Sequence, residues 1–210
     1  MNENASKSTL KRLPFYLDLL KQKREQNIKN ISSSQVAKEL GLHDVQVRKD
    51  LATASKLGGK PKIGYEIDEL IRDIEEYLGC YSLNKAVLVG VGSLGKALLG
   101  YKGFKSYGLE IVGAFDSYSG LIGNEIKGIT IQSMDRLNSF IKENDVHIGI
   151  ITVPVQYAEE VYEKLVNAGV QAIWNFAPII LKEKEGVIIQ TENMASSLAV
   201  LSRHLESKKN

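Results

Sequence analysis

In the first third of the chain apolar residues recur every three or four positions, whereas from residue 85 onward they come in short unbroken runs. The first spacing is that of helices with one buried face, the second that of strands covered on both sides. Leu13, Tyr16, Leu17 and Leu20 predict a first helix with Pro14 in its opening turn, ending near residues 26–29. A second helix starts at the serine cluster 32–34, runs through residues 35–40 and stops at Gly41, a natural left-handed terminator. After a tight turn, Asp44 can cap a third helix from Val45 to about Lys56. Three short helices so joined are the pattern of a helix-turn-helix.

At about 100° per residue, Val47, Leu51 and Ala54 cluster on the inward side of the third helix. Val45, Gln46, Lys49, Ala52, Thr53 and Lys56 then face outward, with Arg48 on the flank and placed for a phosphate. An amide suited to adenine, small apolar groups suited to thymine methyls and two cations predict a major-groove reader. Residues 57–65 are too rich in Gly and Pro for a helix and put Lys60 and Lys62 on a hairpin tip, as in a basic wing. An acidic amphipathic helix spans Glu66 to Tyr77, burying Ile67, Leu70, Ile71, Ile74 and Leu78, and a boundary falls at Gly79 and Cys80.

Beyond it, candidate strands at 85–91, 109–115, 129–132, 147–153, 171–176 and 186–190 alternate with helices near 94–102, 134–144 and 156–168. This alternation predicts an α/β domain, a doubly wound parallel sheet whose ligand crevice lies at the carboxyl ends of its strands. Residues 90–95 (GVGSLG) form a strand, a glycine turn and a helix start. Gly90 permits the turn, Gly92 admits a pyrophosphate and Gly95 allows close packing of helix on strand. The second run ends in Asp116, about 20 residues beyond the last glycine, where a carboxylate accepts from a ribose 2′-hydroxyl and repels the 2′-phosphate of NADP. Other strand ends that bear on function are residues 116–118, 152–154 and 175–178. After Gln190, Met194, Leu198, Leu201 and Leu205 alternate by four and three along a terminal helix, a seam for a partner subunit.

Charge sharpens the division. Residues 1–65 hold 13 Lys/Arg against 6 Asp/Glu, a net +7, and the whole chain is +2, which leaves −5 for the remainder. A basic module on a mildly acidic body suggests polyanion binding joined to ligand binding. Cys80 is the only cysteine, so no internal disulfide forms, and nothing stands near it at metal-ligand spacing. No metal is expected. No apolar run reaches the ~18 residues of a membrane span and the amino terminus lacks a signal-peptide core, so a cytoplasmic protein without membrane contact is expected. The histidines, His43, His147 and His204, all fall away from the predicted crevice, leaving no catalytic residue for hydride transfer.

Residues 46–51 (QVRKDL), residues 89–95 (VGVGSLG) with 100–104 (GYKGF), and residues 151–154 (ITVP) with 174–178 (WNFAP) together resemble the Rex family of redox-sensing transcriptional repressors. The likeness runs from about Leu13 to Leu205. It implies a winged helix-turn-helix at 1–80 that binds an inverted-repeat operator in double-stranded DNA, a Rossmann domain at 81–190 that binds NAD(H), and a dimerisation helix at 191–210 swapped between the subunits of a homodimer. NADH would close the dimer and release DNA, while NAD⁺ would permit binding. Gly90, Val91, Gly92, Ser93, Leu94 and Gly95 would hold the pyrophosphate and Asp116 the adenosine ribose, with Ser117 also binding the cofactor. Tyr101 would lie near the nicotinamide, and Thr152, Val153, Pro154, Asn175 and Phe176 would line the cleft. Ser34, Val45, Gln46, Arg48, Lys49, Thr53, Lys56, Lys60 and Lys62 would face DNA. The chain departs from the family pattern at 52–64, where an aromatic-glycine segment and an Arg-Gly wing are common, and at Asn193 and Met194, where Asp-Phe is common. Other readings of the same fold are a regulator responding to another nucleotide such as CoA, and an NAD-dependent oxidoreductase.

Overall fold

The computed structural model describes residues 5–207, and the chain divides into two compact units, 1–82 and 83–210. In the first unit, α1 (Lys7–Glu25), α2 (Ser33–Leu40), α3 (Asp44–Ala54) and α4 (Ile67–Tyr77) surround a core in which Leu13, Tyr16, Leu17, Leu20, Val47, Leu51, Ile67 and Ile74 are at most 1% exposed. Two short strands, β1 (Asn30–Ile31) and β2 (Tyr65–Glu66), pair antiparallel and close the base of the wing. Ser32 caps α2 through a capping box with Gln35, and Gly41 ends it at φ 64°.

Four expectations for this unit are corrected. Helix α1 begins seven residues before Pro14, because Ser6 Oγ accepts from the Thr9 N–H at 3.1 Å, so Pro14 lies in the helix interior rather than the opening turn. An interior proline typically costs about 3 kcal/mol; here the buried stripe Leu13, Tyr16, Leu17 and Leu20 carries the helix through it. Helix α3 is entered at His43, which makes no side-chain cap, while Asp44 stands inside the first turn with its carboxylate turned to Ser33, Ser34 and Arg48. The helix stops at Ala54 because Ser55 turns extended, which takes Lys56 off its outward face. The Lys56 N–H and Nζ instead donate to Asp73 and Glu76 on α4, at 2.8 and 2.6 Å. The acidic face of α4 thus captures one of the expected DNA-facing cations. Leu78, expected on the buried side of α4, follows the helix end and is half-buried.

The second unit carries a seven-stranded sheet. Its chain order is β3 (Asn84–Val89), α5 (Ser93–Leu99), a 3₁₀ turn (Lys102–Tyr107), β4 (Leu109–Asp116), β5 (Glu125–Ile126), β6 (Ile129–Ser133), α6 (Leu137–Asn144), β7 (Ile148–Ile151), α7 (Val155–Asn167), β8 (Ala172–Asn175), β9 (Ile188–Thr191) and α8 (Met194–Ser207). The strand order is β5-β6-β4-β3-β7-β8-β9, parallel throughout except for the β5–β6 hairpin. From β3 the chain winds first toward β4 and β6, then returns to β7 on the other side. The carboxyl ends of β3 and β7 therefore flank the point where strand order reverses, which is where open α/β sheets bind ligands. The two-residue β5 was not expected, being too short to show a pattern, and the expected helix at 94–102 breaks at Gly100 into α5 and the 3₁₀ turn. Phe115, Leu137, Ile141, Tyr162 and Leu165 pack in one buried cluster; Leu88, Val91, Ala114, Ile131 and Ile150 pack in another.

Candidate cofactor crevice and DNA-facing helix

The turn after β3 is held from both neighbouring strands. The Gly90 N–H donates to the Phe115 carbonyl of β4 at 2.8 Å, and Asp116, at the end of the same strand, accepts from the Val91 N–H at 2.7 Å through Oδ2. Its Oδ1 accepts from the Tyr118 N–H at 2.9 Å. From β7, the Thr152 N–H donates to Val89 at 2.9 Å and its hydroxyl donates to the Gly90 carbonyl at 2.6 Å. Gly90 stands at φ 99°, a conformation open to glycine, and a Cβ there would lie 2.7 Å from Val153 Cγ1. A Cβ on Gly95 would meet the Gly90 carbonyl, whereas one on Gly92 would meet nothing within 4 Å. The three glycines thus have separate causes: conformation, packing, and an open approach to backbone N–H groups.

A crevice of about 450 Å³ opens over this turn, lined by Val89, Gly90, Gly92, Asp116, Ser117, Thr152, Val153 and Pro154. Val91 and Gly95 are buried beneath the turn, and Ser93 and Leu94 open α5, so these four shape the cradle rather than line it. The crevice has a further wall that sequence reasoning missed: Leu121, Met134, and Tyr157, Glu160, Val161 and Lys164 of α7. The signal was present as the three- and four-residue spacing of 157, 160, 161 and 164 on the helix following residues 152–154.

Three expected cofactor residues, Tyr101, Asn175 and Phe176, are not brought to this crevice. Tyr101 is 60% exposed and lines a separate hollow of about 410 Å³ with Phe104, Leu98 and Lys127. It packs edge-on against Phe104, with ring centroids 4.8 Å apart, and the contacts continue through Trp174 to Phe176. Asn175 has no exposed surface; its amide nitrogen donates to the Ala177 and Ile179 carbonyls and its oxygen accepts from the Ala177 N–H at 2.9 Å. Burial with every polar atom matched makes Asn175 a brace for the loop after β8.

In the first unit, Val45 and Lys49 are exposed on α3, and Thr53 is half-buried with its hydroxyl donating to the Lys49 carbonyl. Gln46 is half-buried beside α1, its amide oxygen accepting from Arg12 Nη1 at 2.9 Å. Arg48 and Ser34 both donate to Asp44, at 2.6 and 3.0 Å. Lys60 and Lys62 are exposed on a tight hairpin whose Lys60 and Gly64 backbones exchange two 2.8 Å hydrogen bonds. The residue that sequence reasoning passed over is Asp50, 3% exposed. It completes the spacing 47, 50, 51, 54 on the inward side of α3, and that position was the available signal. Thr9 Oγ1, Arg12 Nε and Nη2, and the Tyr16 hydroxyl all donate to it at 2.7–2.9 Å, tying α3 to α1. Burial alone would raise the Asp50 carboxyl, but the bonds from Arg12, Tyr16 and Thr9 outweigh it and hold the group below the usual carboxylate range. Burial, reinforced by the bond to Asp50, pushes the Tyr16 hydroxyl up to about 12.

Two family models match the chain: "CoA binding domain" over residues 82–179 and "Putative DNA-binding protein N-terminus" over residues 4–52. The redox-sensing transcriptional repressor Rex of Treponema denticola is 44% identical, covering 96% of this chain and 95% of that protein. The protein of the same name from Bacteroides thetaiotaomicron is 39% identical over 94% and 89%. A crystal structure of RSP, a Rex-family repressor, in complex with β-NAD⁺ and operator DNA superposes with a TM-score of 0.90 at 30% identity, covering 99% of this chain and 95% of that one. The same repressor with β-NADH gives a TM-score of 0.87 at 31% identity, over 98% and 96%. With both units matched, the chain belongs to the Rex family of redox-sensing transcriptional repressors.

Proposed function

We propose that this protein is a transcriptional repressor that senses the NADH/NAD⁺ ratio: its first unit binds an inverted-repeat operator in double-stranded DNA, and NADH in the second unit releases it. The observation that carries the reading is the crevice at the reversal of strand order, with its glycine cradle clamped by Asp116 and Thr152. The cradle fits the diphosphate of a dinucleotide, and Asp116 keeps lone pairs for a ribose hydroxyl after accepting its two backbone N–H bonds. A nicotinamide, when bound, supplies a ring that differs between the two redox forms by a hydride and a charge. The relatives are named repressors and not enzymes. Within the second unit, neither His147 nor His204 is among the residues that line the crevice, and His147 stands 3.5 Å from Asp145.

The proposed domain division is 1–80, 81–190 and 191–210, with the last segment exchanged in a homodimer. Helix α8 supports the exchange: Leu198, Val200, Leu201 and Leu205 are each more than half exposed on it, as expected for a face that a second subunit covers. The Met194 side chain lies outside the described residues. A cytoplasmic site of action follows from the function, and no described helix is long and apolar enough to cross a membrane. Among the described residues no cluster of His, Cys, Asp or Glu is arranged to hold a metal.

The test is a mobility shift with a family-type inverted repeat at fixed salt of about 0.1 M, because phosphate contacts make affinity salt-dependent. Binding that NADH abolishes and NAD⁺ spares is expected; binding indifferent to both would sink the sensor reading. Lys49→Ala is expected to weaken operator binding about fivefold and lower the salt slope by about 1, with NADH titrations unchanged. Asp116→Ala leaves the buried Val91 N–H without its acceptor, so NADH affinity should fall about tenfold or more. The margin over NADPH should narrow with it, read by fluorescence titration of both cofactors; an unchanged NADH curve would remove the ribose role.

A further inference from the structure

A carboxylate stands at the edge of the face proposed to meet DNA. Asp44 occupies the first turn of α3, beside Val45 and Gln46, where a polyanion would be repelled. Its Oδ2 accepts from Arg48 Nη2 at 2.6 Å, and its Oδ1 accepts from the hydroxyls of Ser34 and Ser33 at 3.0 and 3.1 Å. Two groups expected to reach DNA, Arg48 and Ser34, are therefore spent on one carboxylate of their own chain. The hydrogen bond from Ser34, then those from Ser33 and Arg48, hold the Asp44 carboxyl below its ordinary range, so it stays charged at neutral pH. A guanidinium and two hydroxyls converging on anionic oxygens is also the set of donors a backbone phosphate meets.

Resting on the DNA-binding reading, we infer that Asp44 is a specificity-determining residue that competes with DNA phosphate for Arg48 and Ser34. On duplex of arbitrary sequence the internal pair stays closed and the sequence-independent phosphate contacts are weakened. On the operator, contacts from α3 to base edges supply the free energy that opens it. The pair is exposed, with side-chain accessibilities of 64% for Arg48 and 36% for Asp44, so the effect is a matter of a few fold in affinity.

The experiment titrates the full chain, as wild type, Asp44→Asn, Arg48→Ala and the double variant, against the inverted repeat and a scrambled duplex of equal length. Asp44→Asn is expected to tighten binding to the scrambled duplex about three- to tenfold and to steepen its salt slope by about 0.9, one more phosphate neutralised. Its effect on the operator is smaller, so the ratio of the two affinities falls. In the Arg48→Ala background the gain on scrambled duplex disappears. A gain of the same size without Arg48 would mean simple charge repulsion and overturn the inference, as would no gain or an equal gain on both duplexes. Asp44→Ser, which also removes the charge at this helix start, repeats the test if the asparagine variant melts early. Wild-type protein that binds neither duplex overturns the DNA reading itself, whereas operator binding unaltered by Asp44→Asn, with no gain on the scrambled duplex, overturns this inference alone.

Discussion

Replacing Asp50 by alanine is expected to lower the stability of the first unit by about 3 kcal/mol, because it strands the partners of a buried ion pair. Arg12, Tyr16 and Thr9 all direct donors at this carboxylate, and Tyr16 has no exposed surface on which water could replace it. The guanidinium, 19% exposed, keeps part of its hydration, which puts the effect at the lower end of the range for buried pairs. Operator binding should fail at temperatures where NADH titration still works, since the loss is confined to the unit that carries α3. Calorimetry of the full chain would show the amino-terminal transition moving down alone; a single unmoved transition would mean that other contacts hold α1 to α3. The pH dependence has a definite sign at each end. Asp50 is held below its ordinary value, so its contribution is present above the unfolded carboxyl value of about 3.9 and is lost as pH falls through the folded one. Tyr16 is pushed up to about 12, so its protonated hydroxyl favours the fold below the unfolded value of about 10. That contribution is lost as pH rises through about 12.

Gly90→Ala is expected to abolish measurable cofactor response while the first unit still binds operator. The substitution puts an L-residue at φ 99° and a Cβ 2.7 Å from Val153 Cγ1 and 2.8 Å from the Thr152 carbonyl carbon. The conformation alone costs about 1–3 kcal/mol, and the overlap with Thr152 is with backbone, so the turn must move. NADH affinity should fall at least a hundredfold, about 2.7 kcal/mol or more. The resulting protein should stay on its operator at any NADH concentration that releases the wild type. Gly92→Ala separates local damage from blocked approach: its Cβ meets nothing within 4 Å, so the melting temperature should hold while the methyl occupies the path to the turn's N–H groups. A Gly90→Ala protein that binds NADH normally would place the cofactor elsewhere.

Periodic features are legible in the amino-acid sequence itself. The inward positions Val47, Leu51 and Ala54, the left-handed stop at Gly41, and the six longer strands all show in the spacing of apolar residues and glycines. What escapes a sequence reading is decided by side chains competing for partners across the fold. Asp44 reads as a cap until Ser33, Ser34 and Arg48 are seen to claim it. Lys56 reads as a DNA-facing cation until Asp73 and Glu76, about 20 residues later, pull its segment out of the helix. Asn175 reads as a ligand contact at a strand end, and only the loop that follows shows its amide already matched on both sides. The crevice is legible on its turn side, where glycines announce themselves, and ambiguous on its α7 side, where the spacing of Tyr157, Glu160, Val161 and Lys164 is also that of an ordinary solvated helix face.

The double clamp on the turn after β3, by Asp116 from one strand and Thr152 from the other, bears on what kind of quantity the protein can measure. On the proposed reading, a rigid cradle holding the part of a dinucleotide that is chemically identical in both redox forms contributes the same free energy to the binding of each, which leaves the ratio of the two affinities unchanged. The cradle thus sets the total cofactor concentration at which the sensor operates, acting as a gain control. The discrimination that makes it a ratiometer must come from contacts at the other end of the ligand, so damage to the turn should lower both affinities by one common factor and leave their quotient intact.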